Sequence, residues 1–366
     1  TCFHTWLKMY SRSCSGCFLE LDELPKSVFE FLCRVAVEAE DLAEDKELTP
    51  IDIYMRGINH AKGNACYKLV LSTSSPKYTE AIFSTLEMVA ENASVATRGA
   101  ILFKMAYLNH LDRDRNVELF LRLMYDYHPL LLSLPIHNLN PLVYFISYAF
   151  DRLIPFFKKA LEVESCYEQQ AVILWLAWFR TKAPIAKSML DKMCNASEKA
   201  RLSLIKFLDQ SGCLVNKESV DYLLMFMSQE YSSQELASAY DNIFFRNRKK
   251  LVHRDFILIA EAFVASPLIG FKLSGFYKFL ASYALVDPMR TLSWLQKALE
   301  SRLPEEYYDW SIIIDVLIQS YNGIKSFGIG SNQSVLENAM DLLDDLLQQP
   351  DTRNLFSDFV SKLDYE

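Results

Sequence analysis

The chain has 366 residues, a formal net charge of −8, and only 10 glycines beside 12 prolines. Its 51% hydrophobic content excludes a disordered chain, and the negative balance disfavours general nucleic-acid binding, which needs a basic surface. So little glycine argues against folds that need it at tight turns and phosphate loops, and for helices joined by short polar turns.

The first predicted helix starts near Pro25-Lys26-Ser27, where Val28, Phe29, Phe31, Leu32, Val35, Ala36 and Ala39 recur at helical spacing. A second apolar pattern, Ala65, Leu69 and Val70, follows the Gly57 and Gly63 region and stops at Ser74-Ser75-Pro76. That proline sets the start of a helix carrying Ile82, Phe83, Leu86 and Val89. After the turn Asn92-Ala93-Ser94 comes another, with Ile101, Leu102, Met105 and Leu108. Helical periodicity continues over 114–126, 139–151, 153–163, 166–180, 184–194, 197–210 and 217–230. It resumes over 233–247, 254–265, 272–286, 288–301, 306–325, 333–348 and 352–363.

Helices of this length with short connections pair antiparallel, and no pair buries its apolar face without a neighbour. The expected fold is therefore all-α, an α-solenoid of antiparallel helix pairs. A length beyond the roughly 100–200 residues of one domain fits such an array. We divide it into a leading segment 1–24, repeats over 25–195, and repeats over 196–366. In the last part, segments such as Asp287-Pro288-Met289-Arg290-Thr291-Leu292 look like tetratricopeptide (TPR) helices, although no strict 34-residue period is readable. The chain opens on Thr1 rather than methionine, from which we expect a piece of a longer protein.

No window reaches about 18 consecutive apolar residues, so no membrane span is expected. Ala171 to Phe179 reads as a buried helix, and Lys8 and Arg12 interrupt any signal-peptide layout. The eight cysteines (2, 14, 17, 33, 66, 166, 194 and 213) mostly stand singly in helical patterns, as reduced thiols of a cytosolic protein do.

Catalytic motifs are missing from the sequence. Gly270 and Gly275 are followed by Phe276-Tyr277 where a P-loop needs Lys-Ser/Thr, and neither Gly-x-Ser-x-Gly nor His-Glu-x-x-His occurs. Cys166 and Cys213 have no adjacent base, and the six histidines (4, 60, 110, 128, 137 and 253) are scattered. We expect no enzyme and no cofactor. Cys2, His4, Cys14 and Cys17 offer four donors for a tetrahedral zinc, but Cys-x-His is an unusual spacing, and plain thiols in a leading segment are the preferred reading.

For protein contacts the candidates are the basic run Arg246, Arg248, Lys249, Lys250, His253 and Arg254, and the tyrosines Tyr307 and Tyr308. The competing reading of the run is a solvated cluster favouring a helix C-terminus.

Residues 50–125 carry a family pattern. Arg56-Gly57-Ile58-Asn59, Gly63-Asn64-Ala65 and Asn92-Ala93-Ser94-Val95-Ala96-Thr97-Arg98 resemble HEAT-like repeats. With Asn109-His110-Leu111-Asp112-Arg113-Asp114-Arg115 and Val117-Glu118-Leu119-Phe120, the succession is similar to the C-terminal helical region of bacterial STAND-type NTPases, including the antiviral Avs group. The resemblance covers about a fifth of the chain. It implies a HEAT-like first half and a sensor function. The array would bind a phage protein, the large terminase subunit or the portal, and release NTPase and effector domains located upstream in the same chain. It also implies an arginine ladder between turns: Arg98 matches the arginine, while Asn92 replaces the usual aspartate and Thr97 the usual valine. Arg98 is expected to bridge adjacent turns through backbone carbonyls or a carboxylate such as that of Asp112 or Asp114. A constitutive scaffold without sensing is the alternative.

Overall fold

The structure, a computed structural model, describes residues 24–43, 49–72, 76–135, 140–211, 216–228, 231–248, 254–271, 273–301 and 310–327, and single residues at 337, 340, 341, 344, 348 and 353. It is all-helical, with 81% helix and no strand among the described residues. The predicted helices 333–348 and 352–363 fall almost wholly outside these stretches.

In chain order the helices are α1 Lys26–Glu38, α2 Pro50–Asn59, α3 Ala61–Leu71, α4 Thr79–Ala90, α5 Val95–Lys104 and α6 Arg113–Leu123. Then follow α7 Pro129–Leu132, α8 Asn140–Phe145, α9 Phe150–Ala160, α10 Tyr167–Thr181, α11 Pro184–Ala196 and α12 Glu198–Gln210. The last are α13 Lys217–Met225, α14 Gln234–Asn247, α15 Arg254–Ala265, α16 Ser274–Tyr283, α17 Pro288–Glu300 and α18 Trp310–Phe327. The chain divides into two compact units, the division falling between Leu204 and Ile205.

Capping side chains fix many helix starts. Thr49 and Asp52 form a reciprocal capping box with Pro50 in the first turn of α2. Ser94, Asp112, Asn216, Ser233 and Asp287 accept the backbone N–H three residues on and open α5, α6, α13, α14 and α17.

In the unit from Ile205 onward, alternate helices stack in two rows, α14–α16–α18 and α13–α15–α17. This is the packing of an α-solenoid, where equivalent helices of successive pairs lie side by side. In the unit up to Leu204, α3 lies between α1 and α5, and α4 packs on α6. Each unit has an aromatic core. Phe120 meets Phe145 and Phe156 edge-on in the first, and Phe244 touches Phe256, Phe263, Phe276 and Phe279 in the second. Burying each such ring stabilises by roughly 1.5–3 kcal/mol.

Two readings are corrected. No helix is expected from the sequence over 50–59, yet α2 lies there, and Gly57 and Gly63 both sit inside helices, α2 and α3, joined through His60 alone. They serve close packing rather than a turn. A Cβ on Gly57 would stand 2.1 Å from the Ala96 carbonyl oxygen, and one on Gly63 2.1 Å from that of Gly57. The break expected at 152 lies instead over 146–149, and α9 runs through Pro155. Pro155 and Asp151 both lie on the exposed face, so the Asp151 carbonyl that loses its N–H partner is near water and the cost is small.

Candidate interaction surface

Arg98, on α5, has its side chain buried, with the residue only 1% exposed. The guanidinium donates to both carboxylate oxygens of Asp126, at 2.7 and 2.9 Å, and to the carbonyl of Leu123 at 3.0 Å. A carbonyl and a carboxylate are both engaged, as expected from the sequence, but the carboxylate is Asp126 rather than Asp112 or Asp114. Those two are already engaged, since Asp112 caps α6 and Asp114 pairs with Arg152 at 2.8 Å. Leu123 closes α6, where carbonyls lack intrahelical partners, so the arginine finds acceptors there. Tyr125 lies 5.0 Å from the guanidinium, ring centroid to Cζ. Tyr127, in the same turn, has a left-handed φ of 50°. Burial pushes the Asp126 carboxyl up, but the hydrogen bonds and charge of Arg98, together with the His128 N–H and imidazole, outweigh it and hold it below the usual range.

Asn92 is exposed in its turn and Asn59 ends α2. The acid at the α5 N-terminus comes from elsewhere. Asp41, in the stretch after α1, accepts from the Ser94 N–H at 2.8 Å, the Ser94 hydroxyl at 2.6 Å and the Thr97 hydroxyl at 2.8 Å. Thr97 is thus a partner of the acid. Asp241 does the same for α16, accepting from Gly275 N–H at 2.9 Å and Phe276 N–H at 2.7 Å.

Beside bridges at other separations, such as Arg98 to Asp126 at 28 residues and Ser94 to Asp41 at 53, several polar bridges span similar intervals. Arg115 to Glu80 spans 35 residues, Arg152 to Asp114 38, Gln170 to the Leu132 carbonyl 38, and Arg246 to Asp209 37. Tyr148 to Asn109 spans 39, and Phe276 N–H to Asp241 35. A helix pair with its connections has about this length, so these bridges each span about one repeat of the array.

Of the basic run, Arg246 pairs with Asp209 at 2.7 Å. Arg248 donates to the Phe245 carbonyl at 2.9 Å, in the last turn of α14, and lies 4.4 Å from the Phe245 ring centroid. Lys278 adds a second cation, 5.3 Å from that ring. Lys249, Lys250, Tyr307 and Tyr308 lie outside the described residues, as do Cys2, His4, Cys14 and Cys17. Among the described residues, no three His, Cys, Asp or Glu side chains gather to hold a metal, and no helix is long and apolar enough to cross a membrane. Asp41, Asp126 and Asp241 escaped the sequence reading. Only Asp126 had a local signal, its position two residues before His128-Pro129, where its carboxylate accepts the His128 N–H at 3.2 Å.

The architecture places the chain among α-solenoid proteins. No family model matches it, and neither does any characterised protein or solved structure.

Proposed function

We propose that this chain is the ligand-recognition region of a bacterial antiviral STAND-type NTPase and binds a folded phage protein through its helical array. The observation that carries the reading is the stack of helix pairs bridged at 34–39-residue intervals, since such arrays present extended surfaces suited to folded partners. The HEAT-like succession between Arg56 and Phe120 supports the assignment to STAND NTPases. In this reading the protein acts in the cytoplasm, where phage proteins are made, and the NTPase and effector lie upstream in the same polypeptide.

The test is co-expression of the tagged chain with individual phage proteins, beginning with the large terminase subunit and the portal, followed by pull-down. Capture of one of them at a defined stoichiometry supports sensing. Failure across the complete protein set of a phage that triggers the parent system defeats it and leaves a constitutive scaffold.

A further inference from the structure

The helices α2, α3 and α5 approach one another closely because Gly57, Gly63 and Gly99 leave room. The Gly57 and Gly63 positions abut backbone carbonyls, and a Cβ on Gly99 would come within 2.7 Å of Ile53 Cγ2. Backbone-to-backbone packing leaves little freedom to slide. It also draws outer side chains of the three helices into contact. Tyr54 and Phe103 meet with ring centroids 3.9 Å apart, and burial together with the neighbouring Tyr67 hydroxyl pushes the Tyr54 hydroxyl up to about 12. Tyr107 follows Phe103 by one helical turn. These four aromatic residues are half-buried.

Two features give the strip its chemistry. Lys104 Nζ lies 4.6 Å from the Phe103 centroid and 5.8 Å from that of Tyr107, and Lys68 Nζ lies 5.9 Å from that of Tyr67. Two lysines, Lys68 and Lys104, are thus seated against these rings, on a chain whose net charge is −8. Beside Tyr54, Ile51 and Met55 stand one turn apart on α2 and are 55% and 48% exposed. Aromatic and flexible apolar side chains on a rigid support are what interface centres are made of, and a cationic border selects a partner of opposite sign.

We propose that the α2–α3–α5 strip docks an acidic amphipathic segment of the protein ligand, its apolar side chains on Ile51, Met55 and the rings and its carboxylates toward Lys68 and Lys104. The proposal rests on the protein-recognition reading and names the chemistry of the partner.

The probe is a fluorescent amphipathic peptide with leucines at helical spacing and glutamates between them, titrated against the whole chain by anisotropy. A second peptide has lysine at every glutamate. The glutamate peptide is expected to bind at least tenfold more tightly than the lysine peptide. Met55→Asp should weaken it at least tenfold, and Lys68→Glu with Lys104→Glu should reverse the preference, with thermal melting retained as the control for folding. Ile51→Asp serves if Met55→Asp does not fold. Equal affinity for the two peptides, no binding of either, or indifference to the substitutions overturns the proposal. In parallel, any phage protein captured by the parent chain is offered to Met55→Asp. Undiminished capture overturns the strip while leaving sensing intact, whereas failure of the parent chain to capture any phage protein counts against sensing alone, and the peptide titration still decides the strip.

Discussion

Arg98 and Asp126 form a two-pronged ion pair in which the cation is buried and the anion reaches the surface: side-chain exposure is 2% for the arginine and 30% for the aspartate. The asymmetry matters because the guanidinium cannot shed its charge, whereas water already reaches the carboxylate. Deleting the anion therefore strands a buried charge, and deleting the cation strands the Leu123 carbonyl and a half-solvated carboxylate.

Asp126→Asn should accordingly cost about 3–5 kcal/mol, as expected when a buried charge loses its partner. Arg98→Met, which keeps volume, should cost only about 1–3 kcal/mol for the unpaired carbonyl. The double variant should recover part of the Asp126→Asn loss. Urea unfolding of the three variants measures this. Arg98→Met proving the more damaging of the two single changes would contradict the assignment.

Gly57→Ala tests the close approach of α2 to α5. Alanine gains about 1 kcal/mol of helix propensity over glycine, but its Cβ would stand 2.1 Å from the Ala96 carbonyl oxygen and 2.9 Å from Ala100 Cβ. Overpacking of backbone against backbone costs about 1–3 kcal/mol and sometimes more, so a net loss of about 1–2 kcal/mol is expected. A shift of the urea midpoint to higher concentration would show that the helices part without cost.

Acid should weaken the first unit through Asp41. Burial pushes its carboxyl up, but hydrogen bonds from Ser94, Thr97 and the Leu42 N–H together outweigh burial and leave it below the ordinary value. The unfolded chain then binds the proton more readily than the native one. The contribution is present above about pH 4, the unfolded value, and is lost as pH falls through the folded value. Asp241 has the opposite sign. Burial there outweighs the N–H bonds from Phe276 and Gly275 and raises its pKa, so its contribution is present at low pH and lost as pH rises through the folded value. Thermal melts from pH 2.5 to 6 should show a shallower acid decline for Asp41→Asn than for the parent chain, and a steeper one for Asp241→Asn.

Thiol reactivity should separate the described cysteines. Burial pushes the Cys66, Cys166 and Cys194 thiols up to about 12, so at pH 8 they carry almost no thiolate and little access. Cys33 is partly exposed. Iodoacetamide labelling followed by peptide mapping should modify Cys33 in the native protein, and the other three only after unfolding.

Helix positions were largely legible in the chain because periodicity and caps are local. Ser94, Asp112 and Asp287 mark their helices within four residues, and the apolar spacing of Ile82, Phe83, Leu86 and Val89 identifies α4 unaided. The helix α2 was missed for a physical reason. A glycine that admits a neighbouring backbone looks, in sequence, like one that makes a turn, and Gly57 is the first kind.

What the sequence by itself determined is the all-α class, with helices too short and too amphipathic to stand alone. The tertiary structure decided how the helix ends are closed. With few glycines to end helices, their last carbonyls accept from buried donors on other segments: Leu123 from Arg98, Leu132 from Gln170, Cys194 from Arg201 and Leu223 from Tyr240. Asp41 and Asp241 likewise serve helix starts far along the chain. No local pattern announces such partners, because each donor and acceptor meets only after the helices have stacked. At these helix ends the need of buried carbonyls and N–H groups for partners is met by geometry that the one-dimensional order of residues does not contain.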